Sequence, residues 1–269
     1  MTAESEPPPY ARSSRSGVAT AGRAVATLRS VPQPGLRLIC FPHVGAGAAA
    51  FRPWLAHLPS GVELYAVRPP GRENRVAEPL YVDGRVLLDE LGPQLEPLLD
   101  VPFVLVGHCS GSVLAYEYAR QLVSGGGPCP VEAVFCSAEG PSQRVIEDPP
   151  LHRLASVELL ERVIGYGGMS PEILEDADLT AMYERILRAD YSIVETLEYS
   201  LGPPLPIPMT VLGGRHDRFV FPEAMLSWSA ETSKELTLRL LDARHYMLVE
   251  AGTEIGRIAR RLTDTAVGA

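Results

Sequence analysis

The sequence predicts an α/β fold, a mostly parallel central sheet flanked by helices. Three observations lead there. Six short apolar runs, each the length of a buried strand, alternate with longer stretches of helical periodicity. One run passes through a tight, glycine-flanked turn directly into a helix. An aspartate and a histidine follow the last two runs, at what would be the carboxyl ends of parallel strands, where such sheets place their sites.

The strand candidates are Leu36–Phe41, Glu63–Val67, Phe103–Gly107, Val131–Ser137, Met209–Gly214 and Leu236–Leu241. Each is apolar almost throughout instead of alternating, the pattern of a parallel strand covered on both faces. Helices are expected over Val82–Leu99, Ser112–Val123, Glu223–Ala230 and Val249–Leu262. Residues 1–32 are rich in Pro, Ser, Ala and Arg without a period, and read as a flexible tail ahead of one domain over 33–269. Between Pro141 and Pro206 no strand is evident. Ser156–Ile164 and Leu179–Tyr199 instead carry apolar residues at three- and four-residue spacing, which predicts a helical lid inserted between two strands.

The chain has 269 residues, 46% of them hydrophobic and 21% charged, ordinary values for a soluble globular domain. A net charge of −9 argues against nucleic acid as a partner. Apolar runs stop well short of the roughly 20 residues that span a bilayer, and the first residues hold no signal-peptide core, so a cytoplasmic protein is expected. The cysteines Cys40, Cys109, Cys129 and Cys136 show no metal-ligand spacing and read as free thiols in a reducing compartment. Cys40 and Cys136 fall in strand-like runs as small hydrophobes, and Cys129 in a loop.

Cys109 differs. It is the centre of Gly107-His108-Cys109-Ser110-Gly111, the G-x-Nu-x-G spacing of a nucleophile elbow. The nucleophile sits in a strained turn, so the residues two before and two after it must be small. Ser110 does not fit that frame, because His108 stands two before it. Ser112 does not fit either, with Ser110 and Leu114 in the flanking positions. The chain order nucleophile, acid, base then points to Asp217, after the Met209–Gly214 strand, and His245, after the Leu236–Leu241 strand. His245 would take the thiol proton and Asp217 would orient its ring. Asp242 and His216 are the competing acid and base and read as loop residues. The backbone N–H groups of Val44 and Ser110 are the expected oxyanion donors. His43 and His108 flank the site as structural or substrate-contacting residues.

Gly45-Ala46-Gly47-Ala48-Ala49-Ala50 matches a dinucleotide fingerprint after a strand. The next strand ends in Ala66-Val67-Arg68, without the acidic residue that binds ribose; an arginine could suit a phosphorylated ribose, but the match leaves the elbow, Asp217 and His245 unexplained. Neither a cofactor nor a metal is expected.

The segments FPHVGAGAAAFRPW, YAVRPPGRENR, FVLVGHCSGS, LRADYSIVETLEY and GGRHDRFV, with the His245 segment, together give the chain its resemblance to the type II, stand-alone thioesterases of polyketide and non-ribosomal peptide assembly lines. The resemblance runs from about Leu36 to Arg261. It implies an α/β-hydrolase fold with a helical lid, and hydrolysis of acyl groups from the phosphopantetheine arm of carrier proteins. The family's nucleophile, acid and base positions fall on Cys109, Asp217 and His245, and its oxyanion positions on Val44 and Ser110. Two departures stand out: Cys109 replaces the family's usual serine, and Ala243-Arg244 replaces glycines before the histidine. Arg244 is thereby a candidate substrate contact.

A cysteine nucleophile exchanges one thioester for another, so the acyl-enzyme stays reactive towards amines. Acyl transfer or ring closure is therefore an alternative to hydrolysis. A carrier-protein binder without catalysis is a third reading, against which the intact triad argues. An acyl or peptidyl carrier protein is the expected partner, no membrane is involved, and the protein is expected to be a monomer. Docking an acidic carrier on an acidic protein needs a basic patch; Arg68, Arg72 and Arg75 are candidates, with ordinary solvated loop charges as the alternative.

Overall fold

The computed structural model describes residues 22–267. Seven strands form one sheet: β1 (Val25–Arg29), β2 (Leu36–Phe41), β3 (Val62–Val67), β4 (Phe103–His108), β5 (Glu132–Cys136), β6 (Met209–Gly214) and β7 (Leu236–Leu241), in the order β1-β3-β2-β4-β5-β6-β7. The helices are α1 (Gly84–Leu95), α2 (Ser110–Ser124), α3 (Ser156–Gly165), α4 (Ala177–Thr196), the single turn α5 (Pro222–Met225) and α6 (Leu248–Val267). All neighbouring pairs from β3 to β7 are parallel. The six expected strands are all present, within a residue or so of their expected ends. The arrangement is the α/β-hydrolase fold, with helices on both faces of a mostly parallel sheet.

β1 corrects the reading of residues 1–32 as a tail. Val25–Arg29 runs antiparallel to β3, with Val25 opposite Val67, and its register shifts between Thr27 and Arg29. Ala24, Val25 and Ala26 are buried, and the Ala24 N–H donates to Gln94 Oε1 on α1 at 2.8 Å. A five-residue strand with a bulge, at an edge and followed by Pro-Gly, carries too little apolar signal to stand out in sequence. Residues 1–21 of that expectation lie outside the described residues.

The strands β2 to β6 are buried along their whole length, as apolar runs covered on both sides must be. β7, expected to be equally buried, is half-buried because it ends the sheet. One face packs against α1 and α2 through Leu88, Leu91 and Tyr116, with Trp228 from the 3₁₀ turn after α5 in the same cluster. The other packs against α6 and a 3₁₀ segment over Ala48–Ala56 through Phe51, Trp54, Ala251 and Ile255. α1 starts where Asp83 caps it, Oδ1 accepting from the Arg85 N–H at 2.7 Å. The expected helix over Glu223–Ala230 is only α5 continued as a 3₁₀ turn.

Between β5 and β6 the chain forms α3, α4 and short 3₁₀ turns around its own apolar cluster, with Leu151, Leu159, Leu160 and Leu187 at its centre. Among the described residues, the only β pairing in 141–206 is an isolated bridge from Leu205 to Thr232. No helix among the described residues is long and apolar enough to cross a membrane.

Candidate active site

The elbow follows from steric necessity. Cys109 joins β4 to α2 with φ 51° and ψ −121°, a backbone region that ordinary side chains avoid. Its N–H donates to the Cys136 carbonyl on β5 at 2.8 Å. A Cβ at Gly107 would collide with the backbone of Ser112, and one at Gly111 with the carbonyl of Phe41. The two glycines are thus required by close packing between β4, β2 and the start of α2.

Asp217 and His245 stand after β6 and β7, both buried. His245 Nδ1 lies 2.9 Å from Asp217 Oδ2. Asp217 Oδ1 accepts the backbone N–H groups of Phe219 at 2.9 Å and Val220 at 3.1 Å. Burial works to raise the Asp217 pKa, but the bond to His245, its charge and these two N–H groups hold it below the ordinary carboxylate range. The structure therefore brings together the three residues that the sequence selected.

The thiols separate by environment. Burial pushes Cys136 up to about 12 and Cys40 well above the ordinary thiol value, and it raises Cys129 as well. At Cys109 burial acts in the same direction, but the His245 charge, a hydrogen bond to its ring and the Ser110 N–H overcome it and lower the thiol. Burial lowers His245 in turn, and the Cys109 charge together with the Asp217 hydrogen bond outweighs it, raising His245 to about 10. The pair favours a thiolate beside an imidazolium.

His108 corrects an expectation. It is fully buried, so no substrate reaches it. Its Nε2 lies 3.0 Å from the His245 carbonyl and its Nδ1 lies 3.0 Å from His43 Nδ1. A carbonyl only accepts, so Nε2 of His108 carries the proton. Burial holds His108 well below the ordinary histidine value, so the ring is neutral and its bare Nδ1 accepts from His43. His43 is driven down to about 3 by burial, then by His245 and Arg72. His43 is half-buried and sits edge-on to Tyr246.

Two hollows flank the Cys109–His245 pair. One of about 210 Å³ is lined by Cys109, Val44, Ser110, Glu139, Arg144 and Tyr191. The other, about 710 Å³, lies on the His245 side, with Tyr166, Arg218, Phe219, Arg244 and Tyr246 on its walls. Arg244 is exposed there. Glu139, Arg144 and Tyr191 were missed in the sequence. They come from the end of β5, the loop behind it and α4, and only tertiary packing brings them to the elbow. Burial raises the Glu139 carboxyl against the pull of Arg144, and the Arg144 guanidinium donates to the Val194 carbonyl.

The two expected oxyanion positions are adjacent. The Val44 N–H donates to Ser110 Oγ at 2.9 Å. His216 and Asp242, the competing pair, bond each other at 2.8 Å on the exposed surface. The dinucleotide reading fails on filled space: the Glu73 carboxylate accepts the Ala49 N–H at 2.8 Å and leaves no room beside Gly47 for a phosphate. The basic patch also fails. Arg75 is buried between Glu78 and Glu90, at 2.8 Å from each; Arg68 pairs with Glu73 at 2.8 Å, and Arg72 with Asp190. Among the described residues no group of His, Cys, Asp and Glu is placed to hold a metal ion.

A family model for the thioesterase domain matches residues 36–265. The gramicidin S biosynthesis protein GrsT of Aneurinibacillus migulanus is 28% identical over 82% of this chain and 86% of its own length. The AMB antimetabolite synthetase AmbE of Pseudomonas aeruginosa is 36% identical over 85% of this chain, which spans 11% of that much longer protein. The solved structure of BorB, a type II thioesterase from the borrelidin biosynthetic cluster, superposes with a TM-score of 0.81 at 29% identity, covering 91% of this chain and 99% of BorB.

Proposed function

Since this chain belongs to the thioesterase-domain family, we propose that it hydrolyses acyl, aminoacyl or peptidyl thioesters carried on the phosphopantetheine arm of a carrier protein in polyketide or non-ribosomal peptide biosynthesis, with Cys109 as nucleophile, His245 as base and Asp217 as the orienting acid. The observation that carries the reading is Cys109 at a strained elbow, with φ 51°, beside a His245 ring that Asp217 holds at 2.9 Å. The relatives named above supply the context: GrsT is a gramicidin S biosynthesis protein, and BorB is a type II thioesterase from the borrelidin biosynthetic cluster.

The chemistry follows from the geometry. His245 takes the Cys109 proton and the thiolate attacks the thioester carbonyl carbon. The carbonyl oxygen becomes an oxyanion beside the Val44 and Ser110 N–H groups, once Ser110 Oγ turns away from Val44. Collapse breaks the bond to the arm's sulfur, which leaves with the proton from His245. Water, deprotonated by His245, then attacks the acyl-cysteine; the carboxylic acid departs and Cys109 recovers its proton.

A second reading rests on the thiol itself. An acyl-cysteine is a thioester, more reactive towards amines than an oxoester, so an amine or hydroxyl could replace water and give an amide, ester or ring. Intact-mass spectrometry with an acyl-loaded carrier protein separates these. An adduct on Cys109 that decays to free acid supports hydrolysis. An adduct that persists until an amine arrives, or that releases a ring, supports transfer. Neither adduct nor turnover with several acyl carriers would sink both and leave a non-catalytic carrier binder. We further infer a cytoplasmic monomer, with Arg244 at the substrate groove.

A further inference from the structure

We infer that Asp190, on α4 of the helical insertion, is a positioning residue for the oxyanion loop, so that seating the insertion assembles the site. The inference rests on the reading of Val44 as an oxyanion donor. Asp190 Oδ2 accepts the N–H of Gly45, the residue after Val44, at 2.8 Å. The same carboxylate oxygen pairs with the Arg72 guanidinium from the segment after β3, and both side chains are nearly buried. Leu187, one turn before Asp190 on the same face of α4, fills the space beside Gly45: a Cβ there would lie 3.2 Å from its Cδ2. Gly45 has φ 82°, a conformation that suits glycine and that turns its N–H towards α4.

Three segments far apart in sequence thus meet at one carboxylate. The loop bearing Val44 has no strand partner of its own beyond Phe41. Apart from the Val44 N–H bond to Ser110 Oγ and the contact of His43 with His108, it is held by Asp190 on one side and by Glu73, which bonds the Ala49 N–H, on the other. An oxyanion donor works only at hydrogen-bond distance from the developing charge. With Ser110 Oγ turned away for the oxyanion, the Gly45 bond is the anchor beside Val44; if α4 lifts to admit an acyl chain that anchor is lost, and when α4 settles it returns. Reaction is thereby confined to the covered state.

The test compares two reactions of the same thiol. Alkylation of Cys109 by iodoacetamide needs the thiolate but forms no oxyanion. Acylation by an acyl-N-acetylcysteamine thioester needs both. Asp190→Ala is expected to slow acylation by about 10²-fold, leave alkylation within about twofold, and speed amide exchange across residues 43–46. Asp190→Asn, which keeps an oxygen for the Gly45 N–H, is expected to restore most of the acylation rate. Because Asp190→Ala strands a buried Arg72, the paired variant Asp190→Ala/Arg72→Met serves where the single one fails to fold. Acylation and alkylation falling in parallel, or acylation unchanged, would overturn the inference. Failure of the unmutated protein to become acylated while it alkylates normally would count against the thioesterase reading instead, and amide exchange alone would then decide on the clamp.

Discussion

His108 donates from Nε2 to the main-chain carbonyl of His245 at 3.0 Å, so the residue before the nucleophile fixes the backbone of the base. The elbow and the histidine loop are one unit, and His108 is its pin. Replacing it, His108→Ala, leaves the His43 ring without its partner and the His245 carbonyl with only the Met247 N–H, at 3.0 Å. A loss of about 1–3 kcal/mol is expected for the polar group so orphaned, with a further cost for the cavity left in place of the ring. Thermal unfolding should read this as a fall of several degrees, at about 2–4 °C per kcal/mol for a chain of this size. An unchanged midpoint would contradict the role.

Cys109 should be the thiol that alkylates first near neutral pH. The His245 charge lowers its pKa, whereas burial raises those of Cys40, Cys136 and Cys129. The alkylation rate rises with pH through the lowered thiol pKa. His245→Ala removes the stabilising charge and hydrogen bond, moves that rise to higher pH, and slows alkylation at pH 7 by about tenfold or more. Peptide mapping after a brief pulse of iodoacetamide reads both outcomes; equal labelling of Cys129 would refute the first.

Glu63 gives a pH dependence away from the site. Burial works to raise its carboxyl, but Arg37 at 2.8 Å, the Val31 N–H, Ser30 and Tyr65 together lower it below its ordinary 4.5. A carboxyl depressed in the folded state stabilises the fold above its unfolded pKa, and that stability is lost as pH falls through the folded value. Glu63→Gln removes one of the two carboxylates on buried Arg37, which keeps Asp100 and the Leu98 carbonyl at 3.0 Å. It should cost about 1–3 kcal/mol at pH 7 and flatten the acid limb below about pH 4.5. Urea unfolding at pH 7 and pH 4 measures both.

Cys109→Ser should keep the elbow, because the side chains are nearly isosteric and the residue's φ of 51° is a demand on the backbone. Its acyl adduct would be an oxoester, and transfer of the acyl group to an amine should slow relative to the cysteine enzyme. Adduct lifetimes from mass spectrometry, with and without amine, decide this. Equal lifetimes would remove the argument that the thiol favours transfer.

What could be read from sequence follows the range of the physics. The elbow is legible because its constraint is local: Gly107 and Gly111 must be small where the backbone crosses itself. The strands β2, β6 and β7 are legible to the residue because apolar runs bounded by polar turns carry their own limits. Asp190, Glu139 and Arg144 are not legible, since each matters only through partners brought near by folding. Arg72 and Arg75 mislead for the same reason: arginines in a glycine- and proline-rich loop read as solvated until the carboxylates that pair with them are known. His108 misleads because its neighbour in sequence is the nucleophile, while its own bonds run to His245 and His43.

The antiparallel strand β1 also sets a boundary for protein engineering. It covers the outer hydrogen-bonding edge of β3, with Val25 paired to Val67 and Ala26 to Ala66. A truncation starting after residue 32 would strip that cover and expose a buried apolar strand with free N–H and carbonyl groups, a template for stacking between molecules. Shortened versions that begin ahead of Ala24 should stay dispersed at high concentration, and those that begin after Arg29 should precipitate, with the catalytic residues untouched in both.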